Sequence, residues 1–535
     1  MFKLLIALSA LVVISSAYGP AVRATKGEVW PKLQQEEKTS DYFIVRPFTF
    51  RFQGLADIGC PRLLDDAFTR YWLIIATEAS LEHRGRRAEM GKKRTKFWQL
   101  DESFLGYLKR LKVEVSDKCT DDALPDFGDN ENYTLTVNAS VSTLSAQTIW
   151  GALRGLETFS QLIYLEQDAL VINATTITDF PRFSFRGLHL DTSRHFLPVN
   201  IILQTLDGMA YNKFNVFHWH LTDDQSFPYK SRVYPELSEK GAYHPVSKVF
   251  EPSDIAKVIE YARVRGIRVI PEFDTPGHTS SWGASHPELL TTCYSNNQPN
   301  GNLGPMDPSK DTTYDFINNL FTEVVGVFPD SYFHIGGDEV DFSCWQSNPD
   351  ITTFMSDNNI SSYEGLENYF IQHVVDLLDK LNSKYLVWEE VFVNGVTLPN
   401  TTLVHVWRGE GFDTLRDVTK AGKYGVFSSC WYLDHLSSGS DWQKFYECEP
   451  LNFDGTDEQK KLVLGGEACM WTESVNEYNV MPRVWPRACA TAEKLWSAES
   501  VNDFGAARPR LEEHVCRLNL RGIAAQPPNG PGVCL

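Results

Sequence analysis

The string His334-Ile335-Gly336-Gly337-Asp338-Glu339 sets two carboxylates side by side where an apolar run ends. Glycosidic bonds are usually cleaved by two carboxyl groups, and in retaining enzymes these stand about 5 Å apart across the sugar. Neighbours in an extended strand point to opposite faces, so Asp338 and Glu339 cannot simply flank one anomeric carbon. They can still serve one sugar by touching different parts of it. One would act on the glycosidic oxygen and the other on a substituent at C2, which is the arrangement of substrate-assisted hydrolysis. Similar runs end in Asp191 and Arg194; His218, His220, Asp223 and Asp224; Asp274 and His278; Trp388, Glu389 and Glu390; Trp407; Trp431 and Tyr432; and Trp471 and Glu473. Aromatic faces stack on the apolar faces of pyranoses while Arg, Asp and Glu bind hydroxyls, so the mixture points to a neutral sugar. The one glycine pair at a strand end leads into two acids that would repel a phosphate. His218, His220, Asp223, Asp274 and His278 also have the makings of a metal set. No HExxH spacing accompanies them, and histidine–carboxylate networks orient catalytic acids without a metal. Neither a metal nor a cofactor is expected.

These residues close eight strand-like runs, at 186–191, 215–221, 268–274, 332–339, 385–390, 403–408, 425–432 and 463–471. Helical periodicity fills most of the intervals, at 200–212, 252–265 (with Ser253 as N-cap), 311–327 and 362–381. Only turn residues separate the fifth run from the sixth. Eight alternating units predict a closed (β/α)8 TIM barrel, an α/β fold whose active site lies at the C-terminal strand ends. Residues 25–180 mix strand-like runs with helical ones and read as a smaller α+β domain, with Pro181 at the boundary and the barrel spanning 181–535. The charged stretch 82–96 lacks apolar periodicity and reads as an exposed loop. Arg186 and Asp191 read as a structural ion pair at the barrel mouth. Trp345, Trp442 and Trp485 read as packing, His218 as a barrel-interior histidine, and Asp224 as support for either the acid or the fold.

The chain has 535 residues, and 50 Lys+Arg against 69 Asp+Glu leave a net charge of −19, which argues against a nucleic-acid partner. Hydrophobic residues make up 42%, too many for a disordered chain. Lys3, an apolar run over 4–14 and Ser15-Ser16-Ala17 form a signal peptide over 1–17. No later run is long enough to span a membrane. Sequons at Asn132, Asn138, Asn173, Asn359 and Asn400 fit a secreted glycoprotein. Ten cysteines without CxxC spacing favour disulfides over zinc.

The runs RGLHLDTSRHFLP (186–198), NVFHWHLTDD (215–224), EFDTPGH (272–278), HIGGDEVDF (334–342) and GGEACMWTE (465–473) resemble the β-N-acetylhexosaminidases of glycoside hydrolase family 20, nearest to the animal lysosomal type and its β-subunit. The resemblance covers the barrel, and the region before it is similar to that family's small N-terminal domain. It implies an exo-acting enzyme that removes terminal GlcNAc or GalNAc, with Glu339 as general acid/base and Asp338 on the N–H of the 2-acetamido group. Tyr432 would meet the acetamido carbonyl, and Trp388, Trp407 and Trp471 would wall the pocket. Arg194, Glu473 and Asp434 would bind hydroxyls, with Asp223 and His278 behind the acid. It further implies disulfides Cys60–Cys119, Cys293–Cys344 and Cys516–Cys534, and a homodimer or a family heterodimer in the lysosome or outside the cell. Cys430 and Cys448 are additional and could close a loop beside Tyr432, while Cys469 and Cys489 would stay free.

Family members that accept 6-sulfated sugars carry Asn and Arg where this chain has Asp434 and His435, so neutral sugars are expected. Segment 295–304 departs from the family's ganglioside-activator contact sequence, and glycolipid activity is not expected. A chitinase-like endo-hydrolase would need a DxxDxDxE strand, which is absent. A carbohydrate-binding or adhesion protein on this fold would typically have lost the acid, and Glu339 is present.

Overall fold

The structure is a computed structural model. It describes residues 22, 24–54, 59–89, 102–139, 141–166, 169–435, 441–532 and 534, with the side chains of 79–89 excepted. The expected signal segment 1–17 and residues 90–96 of the charged stretch lie outside the described residues.

Strands β1 (Gln35–Val45), β2 (Arg51–Gly54), β3 (Phe104–Leu108), β4 (Arg110–Val115), β5 (Tyr133–Val137), β6 (Ser142–Ala146), β7 (Tyr164–Glu166) and β8 (Ala169–Asp179) form one mixed sheet. Its order is β2-β4-β6-β5-β8-β1-β3, with β7 on β8. The helix Ile149–Leu162 is buried at every position, and Thr148 Oγ1 caps it by accepting from Gly151 N. A helix without a polar face must be covered on all sides. One side meets the sheet, and on another Arg154 reaches the carbonyls of Arg265 and Gly266. The helix Pro61–Glu89 runs eight residues into the charged stretch, so 82–89 is helical rather than the loop that its missing apolar period had implied.

Strands β9 (Phe185–Asp191), β10 (Val216–Thr222), β11 (Arg268–Phe273), β14 (Tyr332–His334), β15 (Lys384–Trp388), β16 (Leu403–Val406), β17 (Tyr424–Phe427) and β18 (Val463–Met470) close into a parallel barrel. Between β11 and β14 lies a separate hairpin of β12 (Leu290–Ser295) and β13 (Gln298–Met306), which takes in segment 295–304. Helix Asp311–Val327 matches its sequence period, and Ser362 caps Tyr363–Lys380. Two local expectations fail. Helix Pro252–Arg263 is capped by Glu251 in a capping box with Asp254, not by Ser253, because Pro252 already occupies the first turn. The link between β15 and β16 contains the short helix Glu389–Val393.

Each barrel strand gives one residue to an interior floor: Phe185, Val216, Ile270, Tyr332, Leu386, Leu403, Val426 and Leu464. This apolar layer seals the N-terminal end, and the residues two positions further along several strands are polar. Arg186 and Asp191 lie at opposite ends of β9 and do not pair. A seven-residue strand holds its ends too far apart. Arg186 instead joins Arg154 on Glu131, at 2.5 Å and 2.7 Å, tying the barrel to the N-terminal sheet and its helix. All three side chains are buried, and although burial opposes it, the two guanidiniums hold the Glu131 carboxyl below its usual range. Removing one member of such a set strands the others without a partner. Glu131→Gln is expected to cost about 3 kcal/mol, seen as a lower urea unfolding midpoint. Breaking the exposed Lys26–Glu166 pair should leave the midpoint where it is.

Candidate active site

Strand β14 ends at His334, earlier than the sequence run implied, and the next residues form a tight turn. Gly336 and Gly337 have φ of 71° and 95°. A Cβ at Gly336 would overlap the Asp274 carboxylate, and one at Gly337 would overlap the Val391 side chain, so both must be glycine. Glu339 follows at φ 50°, a region where non-glycine residues are uncommon. The two acids are therefore not on opposite faces of a strand, as extended geometry had predicted. The turn brings both toward one imidazole: His278 Nε2 stands 3.7 Å from Glu339 Oε2 and 3.9 Å from Asp338 Oδ2. Their surroundings differ all the same. The Glu339 side chain is 58% exposed, whereas Asp338 is buried beside Asp274 and its Oδ1 is met by no N–H among the described residues.

Behind the pair, His278 Nδ1 lies 3.4 Å from Asp223 Oδ1. Burial works against the cation, but Asp223 and the Asp338 charge raise His278 to about 9. Asp224 accepts from Ser280 N and lies 3.9 Å from His278. Arg194 bridges three acids, with Nη2 3.0 Å from Asp223, Nη1 3.4 Å from Asp191 and Nε 3.4 Å from Glu473. Its guanidinium also lies over Trp471 at 4.7 Å. Asp191 holds this end of the barrel together by accepting from the Thr472 N–H and hydroxyl.

The aromatic residues collect on the other side. Trp388, Trp407, Tyr432, Cys469 and Trp471 form one apolar cluster at the strand ends. Trp407 stacks on Tyr432 at 5.9 Å, and Trp388 lies beneath with Trp471 at 5.9 Å. Burial pushes the Tyr432 phenol well above its ordinary range. Asp434 sits at the edge of the cluster, and burial raises its carboxyl to about 6. Trp345, Trp442 and Trp485 are core residues.

Two acids named at strand ends, Glu390 and Asp274, lie beside Asp338, while a deeper layer escaped a reading confined to strand ends. Glu390 accepts from Trp407 Nε1 at 3.0 Å, and burial together with the Asp338 charge raises it to about 7. Asp274 accepts from Gly337 N, and burial together with the neighbouring Asp338 charge pushes its carboxyl well above its usual range. Deeper in the barrel, Glu272 meets His220 Nδ1 at 2.6 Å, His218 Nε2 at 3.1 Å and Trp388 Nε1 at 2.8 Å. The signal for this layer was a period of two: His218 and His220 share a face of β10, as Glu272 and Asp274 do at β11. His218 and His220 each turn both ring nitrogens to carboxylates, so the metal set considered above would have to break existing pairs.

Disulfides join Cys60 to Cys119, Cys293 to Cys344, Cys430 to Cys448 and Cys516 to Cys534, while Cys469 and Cys489 are free and buried. The Cys430–Cys448 bond closes the segment that follows Tyr432. Asn132, Asn138, Asn359 and Asn400 are exposed, whereas Asn173 is half-buried in β8 and donates to the Thr39 carbonyl. A groove of about 900 Å³ lies elsewhere, lined by Gly128, Asp129, Arg182, Lys460 and Lys461, and brings no comparable set of groups together. Among the described residues no helix is long and apolar enough to cross a membrane.

A model of the glycosyl hydrolase family 20 catalytic domain matches residues 183–499, and one described as beta-acetyl hexosaminidase like matches residues 29–162. The sequence is 45% identical to beta-hexosaminidase subunit alpha of Rattus norvegicus, over 96% of each chain. It is also 45% identical to subunit beta of Homo sapiens, over 96% of this chain and 91% of that one. The structure resembles that of the family 20 exo beta-N-acetylglucosaminidase of Vibrio harveyi in complex with N-acetylglucosamine, with a TM-score of 0.75 at 26% identity, covering 95% of this chain and 80% of that one.

The deep imidazoles link stability to pH. Burial opposes their charge, yet the flanking carboxylates raise His218 to about 9 and His220 to about 10, from an ordinary value of 6.5. A group that binds its proton more tightly when folded stabilises the fold while protonated. The contribution is complete below pH 6.5, declines above it, and is gone once the pH has passed about 10. Calorimetric melting midpoints are expected to fall across that interval, and a flat profile would contradict the pairing.

Proposed function

The chain belongs to glycosyl hydrolase family 20 and is an exo-acting β-N-acetylhexosaminidase, and from that premise we propose that it cleaves terminal GlcNAc and GalNAc with the substrate's own acetamido group as nucleophile. The observation that carries this reading is the unequal pair at the turn after β14: a buried Asp338 with an oxygen that no N–H among the described residues meets, next to an exposed Glu339. An acetamido group seated against Trp388, Trp407, Trp471 and Tyr432 would present its N–H to Asp338 Oδ1. That contact aims the carbonyl oxygen at C1 and steadies the positive charge that spreads over the amide as the bond forms. Glu339 donates its proton to the departing glycosidic oxygen, then takes one from the water that opens the oxazolinium, so configuration is retained. The nucleophile belongs to the bound sugar, and proximity supplies much of the rate. Arg194 and Glu473 bind ring hydroxyls and Asp434 the 6-hydroxyl, and Asp223 with His278 steadies Glu339.

The rest of our reading follows from the sequence. Residues 1–17 are a signal peptide, 25–180 an accessory domain and 181–535 the catalytic barrel. The protein travels the secretory pathway to the lysosome or the exterior, carries glycans at its exposed sequons, and works as a dimer of its own or of family chains.

Two outcomes test the site. Glu339→Gln is expected to lower kcat on substrates with poor leaving groups by about 10²- to 10⁴-fold with little change in KM, and an unchanged rate would remove Glu339 from its role. Asp434 governs 6-sulfated sugars. It repels a sulfate when ionised, so neutral substrates should be preferred, and the sulfated-to-plain rate ratio should fall further as pH rises through about 6. In Asp434→Asn that dependence should disappear. Near-equal rates on both substrates well above pH 6, where Asp434 is ionised, would refute the preference.

A further inference from the structure

A line of alternating acids and imidazoles runs from the barrel interior to Glu339. Glu467 Oε1 meets His218 Nδ1 at 2.8 Å, and His218 Nε2 meets Glu272 Oε2 at 3.1 Å. The same Glu272 oxygen meets His220 Nδ1 at 2.6 Å, and His220 Nε2 meets Asp223 Oδ2 at 2.8 Å. Asp223 Oδ1 then faces His278 Nδ1, and His278 Nε2 faces Glu339. Glu467, His218, Glu272 and His220 are at most 1% exposed, so none of them can touch a sugar.

We propose that Glu272 is a positioning residue for the reaction: it holds His218 and His220 as imidazolium cations, His220 fixes Asp223 as an anion, and through His278 this ladder governs when Glu339 carries its proton. The proposal rests on the reading of Glu339 as the general acid/base.

The surroundings fit that division of charge. Glu272 is faced by His218 and His220 from β10, His189 from β9 at 3.8 Å, His334 from β14 at 3.2 Å, and the Trp388 N–H from β15. His405 from β16 faces Glu467 at 3.8 Å. Of these five histidines, His218 and His220 alone have a carboxylate at each nitrogen. Burial disfavours the charged form of the others, lowering His334 to about 4 and His189 and His405 well below their ordinary range. Burial also opposes ionisation of Asp223, but hydrogen bonds from His220 and His278 pull its carboxyl far below the usual range. Arg194 adds its charge at 3.0 Å. Beyond Asp223, His278 is faced by Asp224, Asp338 and Glu339.

Glu272→Gln is a close test, because the amide can keep every hydrogen bond. Its oxygen accepts from Trp388 Nε1, and its NH2 can donate to a neutral His220 and a neutral His218. One anion and two cations vanish, leaving the neighbourhood of Asp223 more negative by one charge. Protons at His278 and Glu339 are then held more tightly, and the basic limb of kcat/KM should move up by about one pH unit. Glu272→Asp, which keeps the charge, should leave the limb in place while lowering kcat. A folded Glu272→Gln enzyme whose profile superimposes on the wild type would overturn the proposal. Should both variants fail to fold, 15N-histidine NMR of the unaltered enzyme at pH 7 decides. Exchange-protected, doubly protonated imidazoles support the ladder, and a wholly neutral buried set overturns it. Glu339→Gln on an aryl glycoside with an activated leaving group separates two failures. A basic limb that persists there overturns the reading of Glu339, whereas one that vanishes there but does not move in Glu272→Gln overturns the ladder alone.

Discussion

A carboxylate with no water beside it must be paired or lose its charge, and Glu272 lies at the centre of this barrel with no exposure at all. Much above the apolar floor follows from that constraint. Two imidazoles of β10 come to Glu272 because strand register sets His220 beside it and side-chain alternation puts His218 on the same face. Each brings a second carboxylate, Glu467 below and Asp223 above, so that no cation is left half-paired. Trp388 completes Glu272 from β15 through its indole N–H, and the same ring belongs to the aromatic cluster at the strand ends. Electrostatics and shape are thus joined at one side chain.

The opposite end of the barrel solves the same problem by different means. There the interior is apolar, and the charged group at the start of β9, Arg186, points away from it toward Glu131. The N-terminal sheet and its fully buried helix give that arginine a partner it could not find within the barrel. Packing of the first region and sealing of the second are therefore one interaction, with Arg154 as its other arm.

The barrel was legible because buried parallel strands read as short apolar runs and their ends carry unlike residues. The order of strands, the placement of acids and tryptophans, and the long helices follow from that texture. What stayed hidden depends on backbone detail or on partners distant in sequence. Nothing in the charged stretch at 82–89 signals helix, because no apolar stripe is needed where the chain extends an existing one. Pro252 displaces the cap from Ser253 to Glu251. Arg186 and Asp191 looked like partners by proximity along the chain, whereas each finds its partner elsewhere, at Glu131 and Thr472. The deep layer of His189, His334, His405 and Glu467 is scattered over four strands and becomes a unit only when the barrel closes.

The turn after β14 shows why a pair of adjacent acids can do two jobs. In an extended strand their side chains would diverge, and one would leave the site. Two glycines with positive φ and a left-handed Glu339 bend the chain so that both carboxylates approach His278 from different depths. Depth then sets chemistry. Asp338, buried beside Asp274 and His278, could meet an amide N–H with little competition from water. Glu339, more than half exposed, faces solvent, as the proposed acid/base must if an aglycone is to leave and a water to arrive beside it. A nucleophile carried by the substrate removes the need for a second carboxylate beneath C1.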